Sequence, residues 1–316
     1  MLTPHFRFTP LFLTLTLSTA SLIAQQEGPR TTQILLRADS KVETIPTASA
    51  INLELNNKSI PVTALSPVKP NGTQIALLID DGLSRDAGVQ LPDLKQFATT
   101  LRPGTELLVG YMTNGRVQIV VPFTTDYAAA AGRIRLPFSA PGQSASPYLC
   151  LSDFVKRWPG QQEGRSRSKA RFVMMITNGV DPYNGSTSIT NQDSPYVTES
   201  IDDANRAGVA VFSIYYHDAG MGGGSASFSG QSYLNQVAEG TGGKSYYEGL
   251  GDPVALLPFL KQFQHDISET YVATFTADNG NSRGRLERLK VSTSIPKLKL
   301  RHAESVRSGN REGDDE

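Results

Sequence analysis

One cysteine, Cys150, stands in a chain of 316 residues, so no internal disulfide can form. A Cys-x-x-Cys redox pair and a cysteine-ligated zinc site are excluded with it. The four histidines are His5, His217, His265 and His302. No spacing among them assembles a Ser-His-Asp set or paired Cys and His ligands. The glycine run 220–224 is not followed by the Lys-Ser/Thr of a phosphate loop. Thirty Lys and Arg balance thirty Asp and Glu, so no excess of basic charge is there to meet a nucleic-acid polyanion. After residue 24 no apolar run is long enough to cross a bilayer as a helix.

The first two dozen residues differ from the rest. Arg7 is their only Lys or Arg, an apolar Leu- and Thr-rich run covers 11–24, and small residues at Ser18, Ala20 and Ala24 offer cleavage points. This pattern is that of a secretory signal peptide over 1–24. The processed chain is expected to be secreted or periplasmic.

The stretch that organises the remainder is 74–84, Gln-Ile-Ala-Leu-Leu-Ile-Asp-Asp-Gly-Leu-Ser. Ile75, Ala76, Leu77, Leu78 and Ile79 have no polar residue alternating among them, the pattern of a strand buried on both faces of a parallel sheet. The runs 172–176 and 209–216 repeat it. Helical spacing follows at Leu91, Leu94, Phe97 and Leu101, again at Tyr148, Leu151 and Val155, and again at Val197, Ile201 and Ala204. Strands at 107–112 and 117–122 flank Thr113-Asn114-Gly115-Arg116, a connection short enough to require antiparallel pairing. The Gly- and Ser-rich stretch 220–230 reads as a loop, with a helix beginning near Tyr233. The run 254–267 is amphipathic despite Pro258.

Alternating strands appear at both ends: 33–37, 50–55 and 60–65 before this region, 271–276 and 286–292 after it. The fold expected is α/β, a doubly wound, mostly parallel sheet with helices on both faces, plus a small β domain from the N- and C-terminal segments. The divisions are a signal at 1–24, a β segment at 25–70, an α/β domain at 71–269, a second β segment at 270–301 pairing with the first, and a disordered tail at 302–316.

Residues 72–269 resemble a von Willebrand factor type A domain. The residues that carry the resemblance are Asp80-x-Gly82-x-Ser84 after a buried strand, Gly142-Gln143-Ser144, Thr177-Asn178-Gly179 after a second, and the run 234–243, Leu-Asn-Gln-Val-Ala-Glu-Gly-Thr-Gly-Gly. The segments 267–275 and 289–291 are similar to the ends of exported bacterial type A-related proteins. The resemblance implies a metal-ion-dependent adhesion site, Asp-x-Ser-x-Ser with a distant Thr and a distant Asp, holding octahedral Mg²⁺ through oxygens and waters. Asp80 and Ser84 match that pattern and Ser144 stands for the Thr. Gly82 lacks the hydroxyl of the first Ser, and Asn178 removes the charge of the second Asp. The site so implied is degenerate, with Mg²⁺ bound weakly or not at all; Asp81 and Asp181 are carboxylates that could compensate, but the sequence places neither against the ion. A different reading is that Asp80 and Ser84 cap the following helix and tie the loop.

The function expected is that of an exported, non-enzymatic protein-binding module for adhesion or assembly, with an envelope or extracellular protein as partner. Two rival readings are a structural envelope component with a decayed metal site and a metal-dependent hydrolase using Asp80, Asp81 and His217. Export has a direct check. N-terminal mass spectrometry should find the protein starting near Ser21 or Gln25, and intact Met1 on cytoplasmic material would refute the leader.

Overall fold

The structure, a computed structural model, describes residues 30–40, 44–83, 85–138, 146–160, 169–181, 194–217, 223–247, 253–277 and 285–309. The leader expected at 1–24, Ser84 and Ser144 lie outside them. The chain opens with β1 (Arg30–Asp39), β2 (Ile51–Leu55), β3 (Lys58–Ile60) and β4 (Val62–Pro67). It continues through β5 (Thr73–Asp80), α1 (Leu91–Thr99), β6 (Glu106–Thr113), β7 (Arg116–Thr124), α2 (Tyr127–Arg133) and α3 (Pro147–Lys156). Then come β8 (Ala170–Thr177), α4 (Pro195–Ala207), β9 (Val209–Tyr215), α5 (Gly223–Gly240), β10 (Lys244–Tyr246) and α6 (Leu257–Ser268). The last strands are β11 (Thr270–Ala277), β12 (Leu286–Thr293), β13 (Lys299–Arg301) and β14 (Ser305–Arg307).

Six strands form one sheet in the order β10-β9-β8-β5-β6-β7, all parallel except β7. The exception follows from its connection. Asn114 and Gly115 both take positive φ, 49° and 74°, so the two-residue turn returns β7 antiparallel to β6. The five apolar residues of β5 divide by parity, as a pleated strand requires. Ile75, Leu77 and Ile79 pack with Phe97 of α1, Ala130 of α2 and Phe263 of α6. Ala76 and Leu78 pack with Leu151 of α3, Ala204 of α4 and Val237 of α5. Each face of the sheet is thus covered by three helices.

The outer strands make two four-stranded antiparallel sheets, β13-β1-β11-β4 and β14-β12-β2-β3, with Leu36, Leu53, Phe275 and Leu289 in the core between them. Both sheets combine strands from the two ends of the chain. The sandwich joins the α/β part where the chain crosses between them. Ala38 N donates to Glu269 O at 2.9 Å, and Val68 N to Thr270 O at 2.9 Å. Beside these links, Asp266 of α6 accepts from Arg37 of β1 at 3.2 Å and from the Tyr246 hydroxyl at 2.5 Å. Burial and the Asp266 charge both raise the Tyr246 phenol above its ordinary value, so it stays a donor.

Two sequence expectations are corrected. The stretch 220–230 is not a loop throughout, because α5 already runs from Gly223. Its small residues serve close packing: a Cβ on Gly230 would lie 2.2 Å from Asn178 O. The tail expected to be disordered from 302 is ordered as far as 309. Here β14 pairs with β12, and Val306 is buried in the sandwich core. One apolar side chain at the right register supplies that anchor, too little for hydropathy to reveal.

Leu78 is fully buried at the middle of β5. Leu78→Ala should destabilise the protein by about 2 to 5 kcal/mol, read by chemical denaturation. A loss below about 1 kcal/mol would contradict its place in a tightly packed core.

Candidate functional site

In the six-stranded order, β5 and β8 are the pair at which the winding reverses, and ligands of open α/β sheets bind beyond the carboxyl ends of such strands. Asp80 ends β5 and Thr177 ends β8, so the two meet at this crevice. Asp80 is only 2% exposed. Its Oδ2 accepts from the Thr177 hydroxyl at 2.7 Å, and its Oδ1 accepts from Gly82 N at 2.9 Å. Thr177 Oγ1 accepts in turn from Gly179 N at 3.1 Å. Asp80 and its neighbouring loops are therefore fixed by charge-assisted hydrogen bonds.

Asn178 turns its side chain to its own loop, its Oδ1 accepting from Val180 N at 2.9 Å in an Asx turn. The loop beneath it is tightly held. Gly179 has φ 66° and its carbonyl accepts from the buried Tyr148 hydroxyl at 2.6 Å. Asp181 accepts from Ser194 at 2.7 Å. Burial, with the Asp181 charge as a lesser cause, keeps the Tyr148 phenol well above its usual range and hence protonated.

Asp81 faces the opposite side of the loop. Its carboxylate takes Arg135 Nη1 at 2.6 Å and Phe138 N at 3.0 Å. The Arg135 guanidinium lies over the Tyr111 ring at 3.8 Å and the Phe138 ring at 4.0 Å, a cation held between two aromatic faces. This cluster pins 134–138 against the end of β5. The expectation that Asp81 compensates a metal site, or serves with His217 in a hydrolase, meets this arrangement: Asp81 is committed to Arg135. His217 Nδ1 shares a hydrogen bond with Tyr215 OH at 3.1 Å.

Of the four residues proposed for a cation, Asp80 and Asn178 are described, while Ser84 and Ser144 lie outside the described residues. Among the described residues no group of three or more His, Cys, Asp or Glu is arranged to hold a metal. The described donors alone do not make up a Mg²⁺ shell. One carboxylate enters the crevice with both oxygens already accepting bonds, Gly82 brings no hydroxyl, and the Asn178 oxygen is spent on Val180. Thr177, which carries the resemblance together with Asn178 and Gly179 but is not in the implied ligand set, is the residue that bonds Asp80. Its signal was available: a hydroxyl at the end of the strand neighbouring β5.

Cys150 lies on α3 under this crevice and is fully buried. Burial first, then the charge of Asp80, pushes its thiol up to about 12. A thiol so placed is neither a nucleophile nor a redox centre. Ellman's reagent at pH 8 should leave the folded protein unlabelled and react once it is unfolded. Because the folded value is raised, this group's contribution to stability is full below the thiol's ordinary value near 9 and is lost as pH rises toward about 12. Cys150→Ala should flatten that part of the pH–stability curve.

No protein-family model and no curated protein sequence matches the chain. Among solved structures it is similar to a von Willebrand factor type A protein from Catenulispora acidiphila, at 13% identity and TM-score 0.43, over 88% of this chain and 72% of that one. It is similar to the pilus adhesin SpaC of Lactobacillus rhamnosus GG at 11% identity and TM-score 0.46, over 86% of this chain and 47% of the adhesin. A third likeness is to proximal thread matrix protein 1 from the mussel byssus with a zinc-occupied MIDAS motif, at 16% identity and TM-score 0.43, over 68% and 50% of the two chains. The chain therefore spans about half the length of the last two. The strand order, the one antiparallel edge strand and the three helices on each face make the α/β part a doubly wound, mostly parallel sheet with the Asp80 loop at its winding reversal, the architecture expected from the sequence.

Proposed function

We propose that this is an exported, non-enzymatic module that binds a protein partner at the carboxyl end of the α/β sheet, without needing a divalent ion. One observation carries the reading. Seven large hydrophobic side chains are exposed among the described residues, and five of them, Val89, Leu136, Phe138, Tyr247 and Val254, belong to the loops at that end. Val89 and Phe138 are each 74% exposed and Val254 is 89% exposed. Exposed apolar side chains gathered at one end of a fold are characteristic of protein-binding surfaces.

The cluster is held in place before any partner arrives. The Gln90 amide donates to the carbonyls of Pro253 and Val254 at 3.1 and 3.3 Å and accepts from Leu256 N at 3.2 Å. Asp93 of α1 caps the start of α6, accepting from Leu256 N and Leu257 N at 2.8 and 2.9 Å. Phe138 is stacked on Arg135. Loops fixed in this way lose little freedom on binding, which favours affinity. The bonds that Asp80 and Asn178 already make within their own loops support a supporting, not reactive, part for these residues. In this reading 71–269 is the interaction unit, the sandwich from 25–70 and 270–301 is its mount, and the protein works outside the cytoplasm.

The test is cross-linking of the full-length protein in its own envelope fraction, comparing wild type with Phe138→Asp and Val254→Asp. Both positions are exposed, so each variant should keep its melting temperature and lose the cross-linked partner. Chelator should leave wild-type capture unchanged. The double variant Gly82→Ser, Asn178→Asp restores the family's oxygens and charge, and is the one expected to gain a Mg²⁺-dependent melting shift. Capture that survives both aspartate variants, or that a chelator abolishes in wild type, would refute the proposal.

A further inference from the structure

Contacts join the exposed apolar side chains at the carboxyl end of the sheet into one strip. Leu136 packs on Gly88, where an added Cβ would lie 2.6 Å from the Leu136 Cδ2. Gly88 precedes Val89, and the Gln90 amide ties that turn to the carbonyls of Pro253 and Val254 at 3.1 and 3.3 Å. At the other end of the strip, Phe138 covers the Arg135 guanidinium. Val89, Leu136, Phe138 and Val254 therefore belong to one surface.

The exposed charges beside this strip have one sign. Lys95 is the fifth residue of α1 and Lys261 the fifth of α6, each about one turn in from the loop before it. Arg133 ends α2, two residues before Arg135. All three are exposed, and none has an ion-pair partner among the described residues. Segments 87–95, 133–138 and 253–261 carry one carboxylate, Asp93, and it is committed to the N–H groups of Leu256 and Leu257. Asp81 is committed to Arg135.

Arg135 adds a second constraint. Its guanidinium lies 4.0 Å from the centre of the Phe138 ring, and Phe138 is 74% exposed, which leaves the far face of the ring to a partner. The ring already holds one cation, and a second stacked above it would be repelled by the first across a thin apolar layer. A partner's Lys or Arg is thus disfavoured at the centre of the strip as well as at its flanks. The three exposed cations also stand on three separate helices in a chain of zero net charge. An anionic-lipid surface calls for a cluster of about four to eight Lys and Arg.

We propose that the partner presents an acidic, apolar segment, with Phe or Leu side chains on the strip and Asp or Glu beside them facing Lys95, Arg133 and Lys261. This rests on the binding face proposed above and adds the chemistry of what is bound there. Charges at the margin of an interface act mainly on the association rate and its salt dependence, whereas contacts at its centre act on dissociation. The two parts of the proposal therefore separate kinetically.

The probe is a short peptide with Phe and Leu set among Asp and Glu, passed over immobilised full-length protein by surface plasmon resonance. One control has Lys at every Asp and Glu, the other Ser at every Phe and Leu. The acidic peptide should bind, and each control should bind at least about tenfold more weakly. Lys95→Glu with Arg133→Glu should slow association about tenfold and flatten its salt dependence, at an unchanged melting temperature. Phe138→Ala should chiefly speed dissociation. Equal binding of the lysine peptide, salt-independent association, or acidic-peptide binding that these variants leave unchanged would each overturn the proposal. Sedimentation of the protein with phosphatidylserine vesicles, in place of peptide binding, would overturn it too and assign the strip to a membrane. If the peptide fails to bind while Phe138→Asp still abolishes the cross-linked partner, the binding face stands and its acidic preference is refuted. If Phe138→Asp and Val254→Asp both spare the cross-link, the face itself falls.

Discussion

A strand with no polar side must be covered twice, and that constraint shapes this protein. Residues 75–79 send alternate side chains into two separate cores, so neither face of β5 can meet water. Coverage of both faces demands helices on both, and helices returning to neighbouring parallel strands demand crossovers of one hand. The loops that follow the strands then all gather at one end. Asp80, Thr177 and the apolar rim residues share a surface because β5 left the chain no other way to bury itself.

At that surface the polar groups are bonded mainly to one another. Asp80 with Thr177 and Gly82, Asp81 with Arg135, and Asp181 with Ser194 are local pairings that hold loops in fixed positions. In a site built for a hard cation those oxygens would be directed at a common centre. Here the carboxylates stiffen the frame, and five of the described side chains exposed at this end are large and apolar. That fits Gly82 and Asn178, each of which gives up an oxygen or a charge without leaving a strained loop behind.

Much of this was legible in the residues. The runs at 75–79, 172–176 and 209–216 name buried parallel strands, and Asn114-Gly115 names the hairpin, because these signals are local. Features set by distant partners were harder to read. Gly230 looks like a loop residue until Asn178 is seen against it, where a Cβ would clash at 2.2 Å. Val306 looks like one apolar residue in a charged tail, but its register against Glu287 places it in a core. The pairing of Asp81 with Arg135 joins residues 54 positions apart, which no motif records. The apolar rim was missed for a similar reason: Val89, Phe138 and Val254 are single residues in separate loops, gathered only by the fold.

The two covalent connections between the sandwich and the α/β part have a mechanical meaning. They leave from β4 and β11, which lie side by side with Pro67 opposite Tyr271. A partner pulling on the far end of the α/β part draws on both strands together, along their length and in the same direction. β11 is flanked by β1 as well as β4, and its eight residue pairs with β1 would have to slide as a set. Load applied that way is shared across many hydrogen bonds at once, whereas peeling would break them one after another. An α/β unit mounted on two neighbouring strands has an anchorage suited to tension.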